Sequence, residues 1–290
     1  MSAAAVPATG AAPAAGTHPG ADTDRAARTA PAAGTAPAAG TAPAAGTAPA
    51  PAYGIALENV SKRMKATPAL AGLTLEFSAG LMHGLIGPEG AGKTTLMRVL
   101  CGLLHPDAGR VTYFRDGRVA PFRELRPDIA YMPQQQSLYG DLSVSEHLDF
   151  FRTLYGLPGA AYAARREELL TITRLAPFQD RPAGQLSGGM YKKLGLMCSL
   201  LSSPRILLLD EPTNGVDPIS RREFWDLLYR LQEQRILIVV ATAYMDEAER
   251  CGRAHLIQDG RLLASGEPRA LLREAGVGTV DELFLLRTGA

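Results

Sequence analysis

Gly87-Pro88-Glu89-Gly90-Ala91-Gly92-Lys93-Thr94 is the stretch on which the fold turns. It fits the pattern G-x-x-x-x-G-K-[ST]. Its glycines let the backbone wrap a phosphate chain with N–H groups pointing inward. In front lies an apolar run of strand length, Leu81–Ile86. Behind lie Leu96, Val99, Leu100 and Leu103, spaced for one face of a helix that Gly102 and Pro106 should end. A strand, a glycine turn and a helix N-terminus together make an anion site. Gly87 to Thr94 and the adjoining Thr95 are therefore expected to hold a nucleoside triphosphate. Lys93 would face the β- and γ-phosphates, and the Thr94 hydroxyl would be a ligand for Mg²⁺. The motif alone does not separate ATP from GTP.

A second chemical signal lies downstream. Ile206-Leu207-Leu208-Leu209-Asp210-Glu211 is an apolar run that ends in two carboxylates. Ligands gather at the C-terminal ends of strands in a parallel sheet. There Asp210 would hold Mg²⁺ through water, and Glu211 would be the general base that polarises the attacking water.

The rest of the chain supplies the frame. Ile55–Val60 and Leu73–Phe77 alternate like half-buried strands, while Arg205–Leu209 and Ile236–Ala241 read as buried ones. Helical patterns fall between strands, as at Pro218–Gln232, which implies a parallel sheet covered on both faces. From about 137 to 186 the pattern is helical, a subdomain inserted into the α/β core. Ser145 is a plausible N-cap there. Ala160–Leu175 reads as an amphipathic helix with Arg165, Arg166, Glu167 and Glu168 on its wet side.

Composition narrows the function. With 290 residues and 46% hydrophobic side chains, the chain can bury a sizeable core. A formal net charge of +1 argues against a nucleic-acid partner, which requires a basic excess. Cys101, Cys198 and Cys251 match no zinc spacing and read as reduced thiols. His83, His105, His147 and His255 show no ligand spacing and read as solvated or core residues. No run approaches the roughly 20 apolar residues of a membrane span. No basic residue precedes Arg25, unlike a usual secretory signal. If the protein acts at a membrane, other chains must cross it. Residues 1–52 are nearly all Ala, Pro, Gly and Thr, with a hexad repeated from Ala30 to Thr47. Lacking large apolar groups to offset ordering entropy, this segment is expected to be disordered.

Three further motifs carry a resemblance. Leu186-Ser187-Gly188-Gly189-Met190 resembles the signature sequence of ABC ATPases. Tyr131-Met132-Pro133-Gln134 is similar to their Q-loop, and Gly215-Val216-Asp217 to their D-loop. All fall in the family's order, and the resemblance covers about residues 54 to 270. The stretch from Ser187 to Trp225 most resembles the nucleotide-binding subunits of bacterial multidrug-type ABC-2 exporters. The resemblance implies an α/β P-loop NTPase fold of the RecA-like kind. Such a fold has a parallel-sheet core, an antiparallel β edge and the inserted helical subdomain, here within residues 53–285. It also implies ATP and Mg²⁺ as ligands, with Gln134 reaching the metal and the attacking water. Ser187, Gly188 and Gly189 would form a second anion nest, gripping the γ-phosphate bound by a second nucleotide-binding subunit, a homodimer by expectation. Asp217 would lie on the dimer seam. Transmembrane permease subunits would complete the machine, with this chain cytoplasmic and peripheral on the inner face of the cell membrane.

The sequence departs from the family at three points. Ala243 stands where the family usually has a histidine that contacts the γ-phosphate, which removes one transition-state hydrogen bond and implies reduced turnover. Met190 replaces the usual signature Gln. Met64 falls where an aromatic usually stacks on adenine, with Tyr53 an alternative that lies too early. Two other functions compete with an exporter motor. One is a soluble ABC ATPase acting on ribosomes or DNA, which the single nucleotide domain and lack of a heptad insertion disfavour. The other is a low-turnover regulatory subunit, which Ala243 favours.

Overall fold

Alternation at the start of the chain builds the first sheet. In the computed structural model, which describes residues 53–135 and 138–289, strand β1 (Tyr53–Met64) pairs antiparallel with β2 (Thr67–Ser78). Ile55, Leu57, Leu73, Leu75 and Phe77 point inward and are buried. Next come β3 (Met82–Ile86), α1 (Lys93–Leu100), β4 (Ala108–Arg115) and β5 (Arg118–Ala120). Strands β4 and β5 complete a four-stranded antiparallel sheet of order β2-β1-β4-β5.

The apolar runs build the second sheet. Strands β6 (Ile129–Met132), β7 (Ile206–Asp210), β8 (Leu237–Thr242) and β9 (Arg253–Gln258) lie parallel with β3, and β10 (Arg261–Gly266) adds an antiparallel edge. The order is β10-β9-β3-β8-β7-β6. Every residue of β3, β7 and β8 is buried, because both faces are covered. Ile206, Leu208, Leu237 and Val239 face the antiparallel sheet and α1. Leu207, Leu209, Ile238 and Val240 face the helices on the other side.

Those helices are α3 (Val144–Tyr155), α4 (Gly159–Thr173), α5 (Gly188–Leu200) and α6 (Pro218–Glu233), after a single-turn α2 (Phe122–Leu125). The insertion between β6 and β7 is helical, as expected, though its first expected residue, Ser137, and the tail of residues 1–52 lie outside the described residues. Two C-terminal helices, α7 (Pro268–Ala275) and α8 (Val280–Thr288), cover the β9 side, so the folded part runs past residue 285. No described helix is long and apolar enough to cross a membrane.

Three local expectations are corrected. Helix α1 ends at Leu100 with Gly102 turned to φ +73° just beyond it, as that glycine implied, but Leu103, 64% exposed, lies outside the helix whose face it was expected to share. The N-cap of α3 is Ser143, not Ser145. Its Oγ accepts from the Glu146 N–H (3.2 Å), and the Glu146 carboxylate accepts from the Ser143 N–H (2.7 Å), a reciprocal capping box. Arg165 and Arg166 are not simply wet. Arg165 donates to the Leu200 carbonyl (3.1 Å), and Arg166 donates to Ser145 Oγ and Gln179 Oε1 (both 2.8 Å), fastening α4 to its neighbours. His83 and His255 are both buried, the core alternative of the sequence reading, and their parallel rings meet edge to edge on adjacent strands with centroids 5.5 Å apart.

Candidate functional site: a phosphate cradle facing two carboxylates

The cradle forms because β3 must end and α1 must begin within six residues. Gly92 sits at φ +102°, where a Cβ would lie 2.3 Å from the Ala69 carbonyl oxygen, so only glycine fits. Lys93 opens the helix and is almost fully buried. Its ammonium donates to the carbonyls of Gly87 (2.8 Å) and Pro88 (3.0 Å) and lies 3.3 Å from Glu211 Oε1. A buried ammonium is costly unless its donors are used. Here the ammonium and its carboxylate partner Glu211 both line one cavity of about 310 Å³. Ala69, Glu89, Gly90, Gly92, Lys93, Thr94, Thr95, Gln134 and Glu211 line that cavity. The sequence motif and the acidic strand end therefore meet, although about 120 residues separate them.

The carboxylates differ in environment. Asp210 is fully buried at the end of β7, and burial pushes its carboxyl above the ordinary range. Thr94 Oγ1 donates to one of its oxygens (3.2 Å) and the Tyr131 hydroxyl to the other (3.1 Å). Burial, and then the charge on Asp210, raise the Tyr131 phenol in turn. Glu211 follows at φ +47°, a left-handed conformation uncommon for a side chain of this size. Its N–H is held by the Ala241 carbonyl on β8 (2.8 Å). That twist carries the carboxylate to the cavity while Asp210 stays in the sheet. Gln134 Nε2 and Asn214 Nδ2 both donate to Glu211 Oε2, each at 3.1 Å.

Thr94, Asp210 and Gln134 offer the hard oxygen donors that suit Mg²⁺. Two of them already converge, and burial disfavours the Asp210 charge without a cation beside it, so the donor set fits the ion.

Ser187, Gly188 and Gly189 do not line the cavity. They open α5, with Ser187 Oγ accepting from the Met190 N–H (3.3 Å). Gly189 is pressed against α6, where a Cβ would come within 2.4 Å of Ser220. Asp217 caps α6 by accepting from the N–H groups of Ile219 and Ser220. Neither candidate adenine stacker lines the cavity. The Tyr53 hydroxyl donates to Asp128 (3.3 Å) with Arg115 over its ring, and Met64 is 40% exposed at the end of β1. Sequence reasoning assigned no role to Tyr131, which stood inside the Q-loop motif, or to Asn214, which stands just before the D-loop motif. It also passed over Lys192, whose Nζ donates to the Gln134 carbonyl (3.1 Å) and whose ammonium is lowered by burial.

Comparison with known proteins decides the family. The domain family described as ABC transporter matches residues 70–214. The Nod factor export ATP-binding protein I of Burkholderia lata is 38% identical over 233 residues, covering 80% of this chain and 77% of that one. The chain belongs to the ABC transporter family. The probable multidrug ABC transporter ATP-binding protein YbhF of Escherichia coli is 47% identical over 219 residues. That match takes in 75% of this chain but only 38% of YbhF. Among solved structures, an ATP-binding subunit of an ABC transporter superposes with a TM-score of 0.70 at 28% identity, covering 81% of this chain and 99% of that one. The dimeric structure of MJ0796, a bacterial ABC transporter cassette, matches with a TM-score of 0.65 at 25% identity, covering 73% and 98%. The mixed α/β architecture with its parallel sheet is that of ABC ATPase cassettes.

Proposed function

We propose that this chain is the ATP-binding and hydrolysing subunit of an ABC exporter, working at the inner face of a cell membrane with separate permease subunits. The observation that carries the reading is the placement of the Glu211 carboxylate at the lip of the phosphate cradle, 3.3 Å from Lys93. Lys93 and backbone N–H groups of the loop from Glu89 to Thr95 bind the phosphates of ATP. Thr94, Asp210 and Gln134 would hold Mg²⁺, which when bound offsets charge on the phosphate oxygens. Glu211 takes a proton from water as it attacks the γ-phosphorus. The bond to the β-phosphate oxygen breaks, and ADP leaves.

Ser187, Gly188 and Gly189 are solvent-facing or lodged against α6, away from their own cavity, which suits a role at the cavity of a second copy. The dimeric cassette among the structural relatives and the export proteins among the sequence relatives support the same reading. A second reading, a low-turnover subunit beside a more active partner, is favoured by Ala243, whose methyl group cannot hydrogen-bond.

Glu211→Gln keeps the shape and removes the base. With Mg·ATP, the variant should lose phosphate release by about 10²-fold or more. It should also elute from a sizing column at twice the 30.7 kDa of the single chain. A variant that hydrolyses normally and remains a single chain would overturn the motor reading. Equal background rates in wild type and variant would favour the low-turnover subunit.

A further inference from the structure

We propose that Tyr244 is a positioning residue for Glu211, acting through the side chain of Asn214; this rests on Glu211 serving as the general base. A carboxylate can only accept hydrogen bonds, so Asn214 must present its NH₂ group to Glu211 Oε2, at 3.1 Å. Its Oδ1 is thereby turned away and needs a donor. The Tyr244 hydroxyl fills that place at 3.4 Å. A donor on the amide oxygen polarises the amide and strengthens its N–H bond to the carboxylate. Asn214 thus converts a hydroxyl on one loop into a firmer amide contact on another.

The 3.4 Å contact is long, and its worth depends on how well Tyr244 is held. The Arg221 guanidinium lies 4.4 Å from the centre of the Tyr244 ring. Arg221 is itself anchored, donating from Nε to Glu247 (2.7 Å) and from Nη2 to both oxygens of Asp246 (3.0 Å each). Glu247 is fully buried and also accepts from Thr213 Oγ1 (2.8 Å) and Trp225 Nε1 (3.0 Å). One buried carboxylate therefore ties the loop that carries Asn214, through Thr213, to the segment that carries Tyr244. Ala243, next to Tyr244, supplies only a methyl group, so the link from Tyr244 to Glu211 runs through Asn214.

The test uses the purified full chain with Mg·ATP. Rates are read in single-turnover mode, which resolves a slow wild type. Tyr244→Phe keeps the ring under Arg221 and removes only the hydroxyl. Its rate constant should fall on the order of three- to tenfold. The ATP concentration for half-maximal rate should stay within about twofold, and the melting temperature within about 2 °C. Asn214→Leu should lose at least as much. The double variant should be no slower than Asn214→Leu alone, because the hydroxyl acts through the amide.

A Tyr244→Phe rate equal to wild type, or losses that multiply in the double variant, would overturn the proposal. So would a change confined to ATP affinity. Glu211→Gln separates the two levels. If it is inactive while Tyr244→Phe is normal, only the positioning role fails. If it hydrolyses at the wild-type rate, the base assignment fails and the positioning role goes with it.

Discussion

At the scale of single residues, the site works by giving neighbouring groups opposite surroundings. Asp210 and Glu211 are adjacent in sequence, yet one is sealed in the sheet and the other reaches the cavity. The left-handed backbone at Glu211 makes the difference, and it costs on the order of 1 kcal/mol that the surrounding bonds must offset. Ala243 is the contrasting case, a position where a donor is absent. Restoring one should help. Ala243→His is expected to raise phosphate release on the order of tenfold or more, since a single transition-state donor is worth that much or more. The check is steady-state phosphate release of the two proteins at saturating Mg·ATP. An unchanged rate would mean that the group at 243 does not reach the reacting phosphate in this chain. The pairing of Lys93 with the acidic strand end was legible in the sequence, because each motif has a known place in a parallel sheet. Asn214 and Tyr131 were not, because their roles depend on which way a side chain points, and no spacing encodes that.

At the scale of elements, buried strands and glycine turns were legible, and helix ends were less so. The reason is visible in α3. Ser143 and Ser145 both stand at the start of the helical pattern, and the glutamate three residues after Ser143 marks the true cap. Helix α1 shows the same effect at its other end. Leu103 keeps the helical spacing, but the chain has already turned at Cys101 and Gly102, so periodicity overruns the element. Capping also has a measurable consequence. The Ser143 carbonyl accepts from His147 Nδ1 (2.9 Å), and the His147 Nε2 accepts from the Tyr139 N–H (3.0 Å), so this cap organises the entry to the helical insertion. Ser143→Ala removes the acceptor for the Glu146 N–H. It is expected to cost about 1 kcal/mol, read as a lower urea midpoint with unchanged slope. A midpoint equal to wild type would show that the box contributes nothing to the fold.

At the scale of the whole described molecule, two sheets of different kind must be held in register so that the cradle and the carboxylates meet. Phe77 of β2, His83 of β3 and His255 of β9 form the joint. Phe77 meets both imidazoles edge-on, and the two imidazoles lie parallel, edge to edge. His83 Nδ1 lies 3.2 Å from His255 Nε2, so one ring donates to the other. Ser78 flanks one end of the pair and Ser265 the other. A second proton would place two charges in contact inside the core, next to Arg253. Burial lowers His83 to about 4, and burial with the charge of its neighbours lowers His255 to about 3. The unfolded rings titrate at about 6.5. As pH falls below that value the unfolded chain takes up protons that the folded protein refuses. Stability is therefore lost as pH drops from about 6.5 toward 4, by about 1.4 kcal/mol per pH unit for each ring. Above pH 7 both states are neutral at these positions and the effect vanishes. His255→Gln can keep a bond to His83 and does not titrate. Its urea unfolding free energy should fall less steeply than wild type between pH 6.5 and 4, by about one ring's share. Parallel curves for the two proteins across that range would show that His255 carries no proton linkage, and that its share of the acid sensitivity arises elsewhere.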